Sequence, residues 1–317
     1  MQTYLLRRLF LAIPVLVLVS VGVFSLIRLV PGDALIAQIG ETGVYKQEDL
    51  DRIRAQLGLD KPVVSQYFSW IGHGLTWDWG ESYWLHKPPP VALRQALPVT
   101  IELAALALLV ALLVAFPVGI LSAVKQDTPI DYVGRVFAIS GLSLPSFFVG
   151  TMLLIFLGLY MPSWVPSIKT VSFFHDPLGN LKQFIFPALI LGLALSATNM
   201  RMVRSSMLEV LRYDYIRTAR AKGLREQTVI YRHALKNAVV PVITILGNQM
   251  HALIGGSVVV EVIFNLHGVG RLTYDAILQR DYPVLQFNVF FIAVMTLVLN
   301  LLIDLSYGLL DPRIRYT

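Results

Sequence analysis

A basic segment in the second half of the chain carries the residues whose types and spacing could do chemistry, which here is charge pairing with a partner. Nine Lys or Arg but only three acidic residues fall between positions 201 and 236. Small residues separate the cations and Gly223 closes the run, which predicts a short helix that ends at a glycine. The pattern suits neither a lipid-facing surface nor an enzyme site, so we expect it to be presented to a soluble partner. The basic segment comprises Asp214, Tyr215, Ile216, Arg217, Thr218, Ala219, Arg220, Ala221, Lys222, Gly223, Leu224 and Arg225.

Several kinds of catalytic or ligand site are missing from the sequence. The chain has no cysteine, which excludes disulfides, thiolate metal sites and cysteine nucleophiles. It contains no P-loop, no H-E-x-x-H or H-x-x-x-H pair and no G-x-S-x-G elbow, and its six histidines are scattered. We therefore predict a chain that is not an enzyme and that binds neither nucleotide nor metal itself.

Long apolar stretches are the elements that must position the basic segment. The chain is 56% hydrophobic, more than a soluble domain needs, so its composition indicates a membrane protein. A bilayer core requires about 20 apolar helical residues. The sequence predicts six transmembrane helices, because six stretches free of Asp, Glu, Lys and Arg meet this length. They are 9–27, 103–124, 136–168 (its helix ending near Met161), 183–200, 237–260 and 282–303.

The distribution of cations predicts how these helices are oriented. If both termini are cytoplasmic, the inner segments carry 15 Lys or Arg, whereas the two short outer loops carry four. This bias puts the termini and the basic segment inside the cell. It also explains the net charge of +6 better than nucleic-acid binding does.

Residues 31–98 are predicted to form an extracytoplasmic insert between the first two spans. Positions 48–57 have the apolar spacing of a short amphipathic helix, and Pro62 could begin a second helix. The aromatic run 77–84 follows. Its tryptophans could receive a partner or a substrate, but packing in the insert's own core or at the lipid headgroups is the more common role.

The last outer loop, 261–283, contains the outer glycine segment, which comprises Gly268, Val269, Gly270 and Arg271. Glycines permit a tight re-entrant turn, which is allowed at membrane depth only where protein or water surrounds the backbone. The pattern predicts either an outer gate at these four residues or an ordinary loop, and their spacing does not choose between the two.

Few ionisable residues lie near the spans, which argues against an ion-coupled secondary transporter. Arg28 and Asp304 sit at the ends of spans, and Glu102 falls in the first turn of the second span, where a carboxylate suits a helix N-terminus. His251 is the deepest candidate, and a lone histidine is more often a hydrogen-bonded core residue. A structural membrane scaffold is the remaining alternative, and it would tolerate replacement of 214–223 by alanines.

The whole chain resembles the permease subunits of ABC importers for dipeptides, oligopeptides and nickel. The most specific matches are 204–211, 214–224 and 233–238 with Pro241. Further matches are Pro31-Gly32-Asp33, 58–62, 78–82, 143–147, 280–283 and Asp311-Pro312-Arg313. In this superfamily the corresponding basic segment is the coupling motif, which has the general form Glu-Ala-Ala, then Gly, then Ile-x-Leu-Pro. Here Arg217-Thr218-Ala219, Gly223 and 233–236 take those places, so the acidic contact of the general motif is not carried over.

The resemblance implies an all-α integral membrane protein with the type I ABC importer permease fold, located in the bacterial inner membrane with both termini cytoplasmic. The implied partners are a homologous second permease subunit, two ABC ATPase subunits that hold ATP and Mg, an extracytoplasmic solute-binding protein and membrane lipid, with no nucleic acid. Peptides are the expected substrate class. Nickel, glutathione and oligosaccharide stay open, as does the choice between a homodimeric and a heterodimeric permease.

The residues of the basic segment give the coupling role a physical basis. Ala219 and Ala221 would let a short helix seat closely in a groove of an ATPase, and Gly223 would let the backbone leave the helix. Its four cations would pair with acids at the rim of the groove, which fixes orientation more than affinity. A positive loop that touches anionic lipid would explain the charge but not the glycine.

These expectations divide the chain into four parts. They are an uncleaved N-terminal anchor helix at 1–30, the insert at 31–98, a five-helix permease core at 99–311 with its coupling region at 201–237, and a cytoplasmic tail at 312–317.

Overall fold

The computed structural model of the chain describes residues 2–29, 60–166 and 170–310. Within these ranges the regular structure is helical, which confirms the all-α prediction there. The helices are α1 (Gln2–Leu29), α2 (Val63–Leu75), α3 (Pro89–Val124), α4 (Pro129–Ser143), α5 (Ser146–Tyr160), α6 (Pro177–Val210), α7 (Asp214–Ala221), α8 (Glu226–Ala238), α9 (Val240–Gly256), α10 (Val258–Ile263), α11 (Val269–Leu278) and α12 (Tyr282–Leu310). The middle of α8, Val229–Ala234, is π-helical, and a short 3-10 turn, Pro162–Trp164, follows α5.

Three of these helices are long and apolar enough to cross a membrane: α3, α6 and the part of α12 from Tyr282 to Leu305. Two pairs, α4 with α5 and α8 with α9, pass the same test together but are bent by more than 40° at a break, which gives up to five spans. A shorter apolar helix, Phe10–Ser25, lies within α1. Helix is therefore present at each of the six stretches predicted as spans, and three to five helical segments among the described residues have the length and composition to cross a membrane.

Proline chemistry explains the bend between α4 and α5. Leu144 is extended, with φ −91° and ψ 119°, and a residue that precedes proline is disfavoured in the helical region. Pro145 then leads into α5. The stretch predicted as one span, 136–161, is consequently two helices. The span predicted at 237–260 is likewise interrupted, because Ser257 separates α9 from α10.

Other boundaries follow the sequence more closely. The helix predicted after Pro62 is α2, so that prediction is confirmed. Helix α6 continues past the apolar stretch to Val210, so the first cations of the basic region lie on a membrane helix rather than in a loop. The helix predicted at 48–57, the matches at 31–33 and 58–59, and the tail at 312–317 lie outside the described residues.

The chain divides into two compact units, one formed by Met1–Pro98 with Arg271–Thr317 and the other by Val99–Gly270. In the first unit, α1 packs along α12, and Arg8 forms an ion pair with Asp304. This pairing satisfies the charge that the sequence places near the end of the last span.

The second unit contains the basic segment and most of the buried core. A Cβ atom at Gly119 would lie 2.8 Å from Val203, so α3 and α6 touch closely at that glycine. One core cluster lies where α3, α6, α7, α8 and α9 meet. Its buried members are Ile120, Ala123, Val203, Met207, Val210, Ile216, Ala219, Val229, Ile230, Ala234, Ala238 and Val242.

Candidate functional site

The basic segment forms helix α7, which is anchored on one side and exposed on the other. Ile216 and Ala219 are buried and face the core cluster shared with the end of α6 and with α8. Their spacing of three residues puts them on one face of the helix. The remaining members are exposed: Asp214, Tyr215, Arg217, Thr218, Arg220, Ala221, Lys222, Gly223, Leu224 and Arg225.

The burial of Ala219 corrects one expectation. Sequence reasoning gave both alanines to a partner's groove, but Ala219 packs against the chain's own core and only Ala221 is exposed. The helix has eight residues and one apolar face, and a marginal helix needs that face for its own stability. Only the polar side of α7 is therefore exposed.

The cations on the exposed side differ in how much of their charge is already matched. Arg220 donates two hydrogen bonds to Glu226, at 2.7 and 3.2 Å, and this contact raises the pKa of Arg220 above its usual value. Arg217 lies 3.4 Å from Asp214, and its side chain is 74% exposed. Lys222 and Arg225 have no ion pair within the described ranges. These last two are the cations best placed to meet an acidic partner.

Gly223 turns the chain out of α7 as the sequence predicts. Its φ is +75°, a region that costs other residues about 1–2 kcal/mol. The Gly223 N–H donates to the carbonyl of Arg220 at 2.9 Å, and the Leu224 N–H donates to the carbonyl of Ala219 at 3.4 Å. These two bonds form a Schellman motif. A Cβ atom at Gly223 would meet nothing within 4 Å, so conformation alone selects glycine here.

The outer glycine segment has a different construction. Val269 begins α11, and Gly268, Val269 and Gly270 are buried while Arg271 is partly buried. Neither glycine has a positive φ; the left-handed residue of this turn is Asn265, with φ 55°. Neither glycine therefore contributes a left-handed conformation to this turn. They supply space, because a Cβ atom at Gly268 would lie 2.5 Å from the carboxyl carbon of Glu261.

Glu261 is the buried group beneath these glycines. It is fully buried, and its Oε1 accepts hydrogen bonds from Thr100 Oγ1 at 2.8 Å and from Ser257 Oγ at 2.7 Å. The Thr100 hydroxyl in turn accepts from the Val269 N–H at 2.8 Å. The N-terminus of α11 is thus tied through one hydroxyl to a buried carboxylate. A Cβ atom at Gly270 would lie 2.8 Å from Cα of Val258, so the backbones also touch here.

Comparison with known proteins identifies the family. Residues 115–316 match the family described as the binding-protein-dependent transport system inner membrane component, and residues 1–104 match the N-terminal family of the same membrane components. The chain belongs to this family. It is therefore a multi-pass inner-membrane permease subunit of a binding-protein-dependent transport system.

Relatives match the permease over its whole length. A peptide transport system permease protein of Brucella abortus (strain 2308) is 41% identical over 316 residues, covering all of both chains. The dipeptide transport system permease protein DppB of Escherichia coli (strain K12) is 38% identical over 348 residues, covering all of this chain and 99% of the relative. A crystal structure of an amino acid ABC transporter with histidines matches at 16% identity, covering 71% of this chain and 95% of that one, with a TM-score of 0.49.

The aromatic run 77–84 of the permease divides into packed and exposed members. Trp79 stacks edge-on against Trp70 and Phe287, with ring centroids 5.7 and 5.1 Å apart. Packing within its own unit is therefore the role of this tryptophan. Trp77 is 75% exposed and has a left-handed φ of 62°, and Trp84 is also exposed.

Two segments that resemble the family and are far apart in the permease sequence, 78–82 and 280–283, meet in the first unit. Ser82 Oγ donates to the buried carboxylate of Asp281, and Trp84 Nε1 donates to the carbonyl of Gln279 at 2.8 Å. Burial raises the pKa of Tyr83 to about 12, and the charge of Asp281 adds to this effect. Sequence reasoning named both segments but did not find their contact, because nothing in a single sequence pairs residues 199 positions apart.

The structure also tests the sequence predictions for His251 and for a metal site. His251 is partly buried, and within the described part of the permease neither of its ring nitrogens has a hydrogen-bond partner, so the expectation of a hydrogen-bonded core histidine is wrong there. No cluster of three His, Asp or Glu residues suited to a metal ion occurs among the described residues.

Proposed function

We propose that this permease forms half of the translocation pathway of an ATP-driven importer, with a homologous permease subunit forming the other half. Two ABC ATPases bind on the cytoplasmic side, one of them at the exposed side of α7, and an extracytoplasmic solute-binding protein delivers the cargo. The observation that carries this proposal is α7 itself, a short helix fixed by Ile216 and Ala219 that leaves a cationic side free. The chain performs no chemistry, and ATP and Mg are held by the ATPases.

Peptides are the cargo that we propose, with dipeptides and oligopeptides as the first candidates. Support comes from the full-length similarity to the dipeptide permease of Escherichia coli and the peptide permease of Brucella abortus. Nickel, glutathione and oligosaccharide are the competing cargoes. Uptake assays with the cognate binding protein and each labelled cargo separate them.

The proposed topology has six spans with both termini cytoplasmic. Helices α1, α3, α6 and α12 would each supply one span, the bent pair α4–α5 would supply the third, and α9 with the start of α10 would supply the fifth, at 237–260. Residues 31–98 would then form the extracytoplasmic insert, and the basic segment would lie inside. The cation bias of the sequence supports this orientation.

We further propose that the outer glycine segment acts as an outer gate. Its contact with a buried carboxylate supports a coupled element, since a movement of α11 would have to break the Thr100 link. Replacing either glycine is a poor test of gating, because even a methyl group would press on the buried Glu261 at Gly268 and on Val258 and Glu261 at Gly270.

Gly223→Asp tests the coupling role. The substitution puts a strained residue and a negative charge at the end of α7, while the core contacts of Ile216 and Ala219 remain. The variant is expected to insert and to pair with the second permease but to lose uptake. Co-purification with the ATPases then separates failed docking from docking without coupling. Normal uptake by Gly223→Asp with ATPases bound would contradict the proposal.

Gly158→Ala is the matched control for handling and expression. A Cβ atom at Gly158 in α5 would meet nothing within 4 Å, and its φ is not positive. This variant is expected to transport like the parent chain.

A further inference from the structure

An ion pair between a buried carboxylate and a partly buried arginine lies in the second unit, next to the core cluster that seats α7. Asp131, in the first turn of α4, is fully buried. Its carboxylate accepts two hydrogen bonds from Arg204, from Nε and Nη2, each at 2.7 Å. It also accepts from the Ser122 hydroxyl and from the Asp127 N–H at 3.1 Å, while Arg135 Nη2 lies 3.2 Å away. The carboxylate is therefore saturated with donors, as a buried charge requires.

The pair joins three helices at one point. Ser122 lies in the last turn of α3, Asp131 at the start of α4, and Arg204 on α6. Arg204 lies six positions before the end of α6 at Val210, which is about 9 Å of helix. The neighbours of Arg204 on α6, Val203 and Met207, belong to the core cluster that seats α7.

The close contact between α4 and α6 extends beyond the ion pair. A Cβ atom at Gly134 would lie 2.9 Å from Met200 Cε, and one at Gly141 would lie 3.2 Å from the Cβ of Ala197. Helix α4 thus rests on α6 through small residues along its length. The ion pair holds the end of this contact that lies nearest to α7.

We propose that Asp131 and Arg204 are positioning residues for coupling, which force α4 and the end of α3 to follow α6 when α7 is moved. A bidentate guanidinium–carboxylate pair fixes direction as well as distance. Stability alone does not require it, because an apolar pair of similar volume is often as stable as a buried ion pair. The inference rests on the proposed coupling role of α7.

The test compares variants in proteoliposomes that contain the complete transporter with its ATPases and binding protein. The readout is cargo taken up per ATP hydrolysed, measured only on complexes that have assembled. Arg204→Lys keeps the positive charge but loses the bidentate hydrogen bonding of the guanidinium group. The double variant Asp131→Leu/Arg204→Met replaces the ion pair by an apolar contact. Both are expected to hydrolyse ATP while uptake per ATP falls about 5-fold or more, the lower end of a typical coupling effect.

Asp127→Asn is the matched control. It removes a neighbouring exposed carboxylate but keeps the backbone N–H that bonds to Asp131, and asparagine tolerates the left-handed φ of 60° at this position. Its uptake per ATP is expected to equal that of the parent chain.

The outcomes separate this inference from the proposed function. If the parent complex shows no ATP-driven uptake, the proposed function fails. If the parent complex couples normally and both variants do so as well, the positioning role fails, and reduced yield with normal coupling in the surviving complexes would mark the pair as merely structural. If Arg204→Lys does not assemble, the uptake per ATP of the double variant decides whether the positioning role holds.

Discussion

The basic segment and the outer glycine segment both depend on glycine, but for opposite physical reasons. Gly223 has a positive φ and open space around it, so it is selected for conformation. Gly268 and Gly270 have ordinary backbone angles and lie against Glu261, Thr100 and Val258, so they are selected for size. The difference shows that glycines in a sequence can indicate either an exposed turn that requires a positive φ or a close contact that has no room for a side chain. Only the first kind tolerates change without disturbing the fold.

The largest loss of thermal stability is expected on substitution of Gly268. Gly268→Ala would place Cβ 2.5 Å from the Glu261 carboxyl carbon and from Thr100 Oγ1, and overpacking of this kind costs about 1–3 kcal/mol or more. Thermal unfolding in detergent should shift downward and the yield of monodisperse permease should fall. Gly158→Ala serves as the control, and an unchanged melting temperature in Gly268→Ala would break the comparison.

A smaller loss is expected at Thr100. Thr100→Val removes the hydroxyl that donates to Glu261 and accepts from the Val269 N–H. Glu261 Oε1 keeps its hydrogen bond from Ser257, so the expected cost is about 1–2 kcal/mol, that of the lost hydrogen bonds. The melting temperature should fall, whereas Thr100→Ser should retain most of the stability. Equal melting of the serine and valine variants would show that the hydroxyl does not tie α11 to Glu261.

The smallest stability effect is expected at Gly223. Gly223→Ala meets no neighbour, so its cost is the strain of a positive φ, roughly 1 kcal/mol. Because α7 is short and at the surface, the strain should loosen the end of α7 and reduce uptake without changing global melting. Gly223→Asn should be milder than alanine, since asparagine adopts the left-handed region more readily. An alanine variant that equals the parent in uptake, or one that transports better than the asparagine variant, would argue against conformational selection.

Local patterns in the sequence predicted much of the fold and part of the site. Apolar stretches located the long helices, and Gly223 with its flanking cations located a short helix and its end. Sequence periodicity did not reveal the bend at Leu144, since a single proline at 145 either kinks or ends a helix. Nor did sequence reasoning place Ala219 inward, because it grouped Ala219 with Ala221 by size and passed over the three-residue spacing of Ile216 and Ala219, which marks the buried face.

Long-range contacts account for what sequence reasoning missed. Glu261 follows directly on an apolar run and reads as the start of a loop, yet it is fully buried. Its burial depends on Thr100, which is 161 positions away. Asp131 similarly reads as an ordinary acidic residue in a first turn, and only the fold brings Arg204 to it. Such pairings require three-dimensional information.

The central claim is that the exposed side of α7 meets the ATPases, and single-cysteine cross-linking tests it most directly. The chain has no cysteine of its own, so one introduced at Arg217 is the only thiol of this subunit, and Trp77 offers an equally exposed control position in the proposed outer insert. In membranes that contain the whole transporter, a short cross-linker should join the residue 217 cysteine to an ATPase, and an impermeant thiol reagent added from outside should label only the residue 77 cysteine. The claim would be contradicted if the residue 77 cysteine joined the ATPase, or if the residue 217 cysteine was labelled from outside and joined no ATPase.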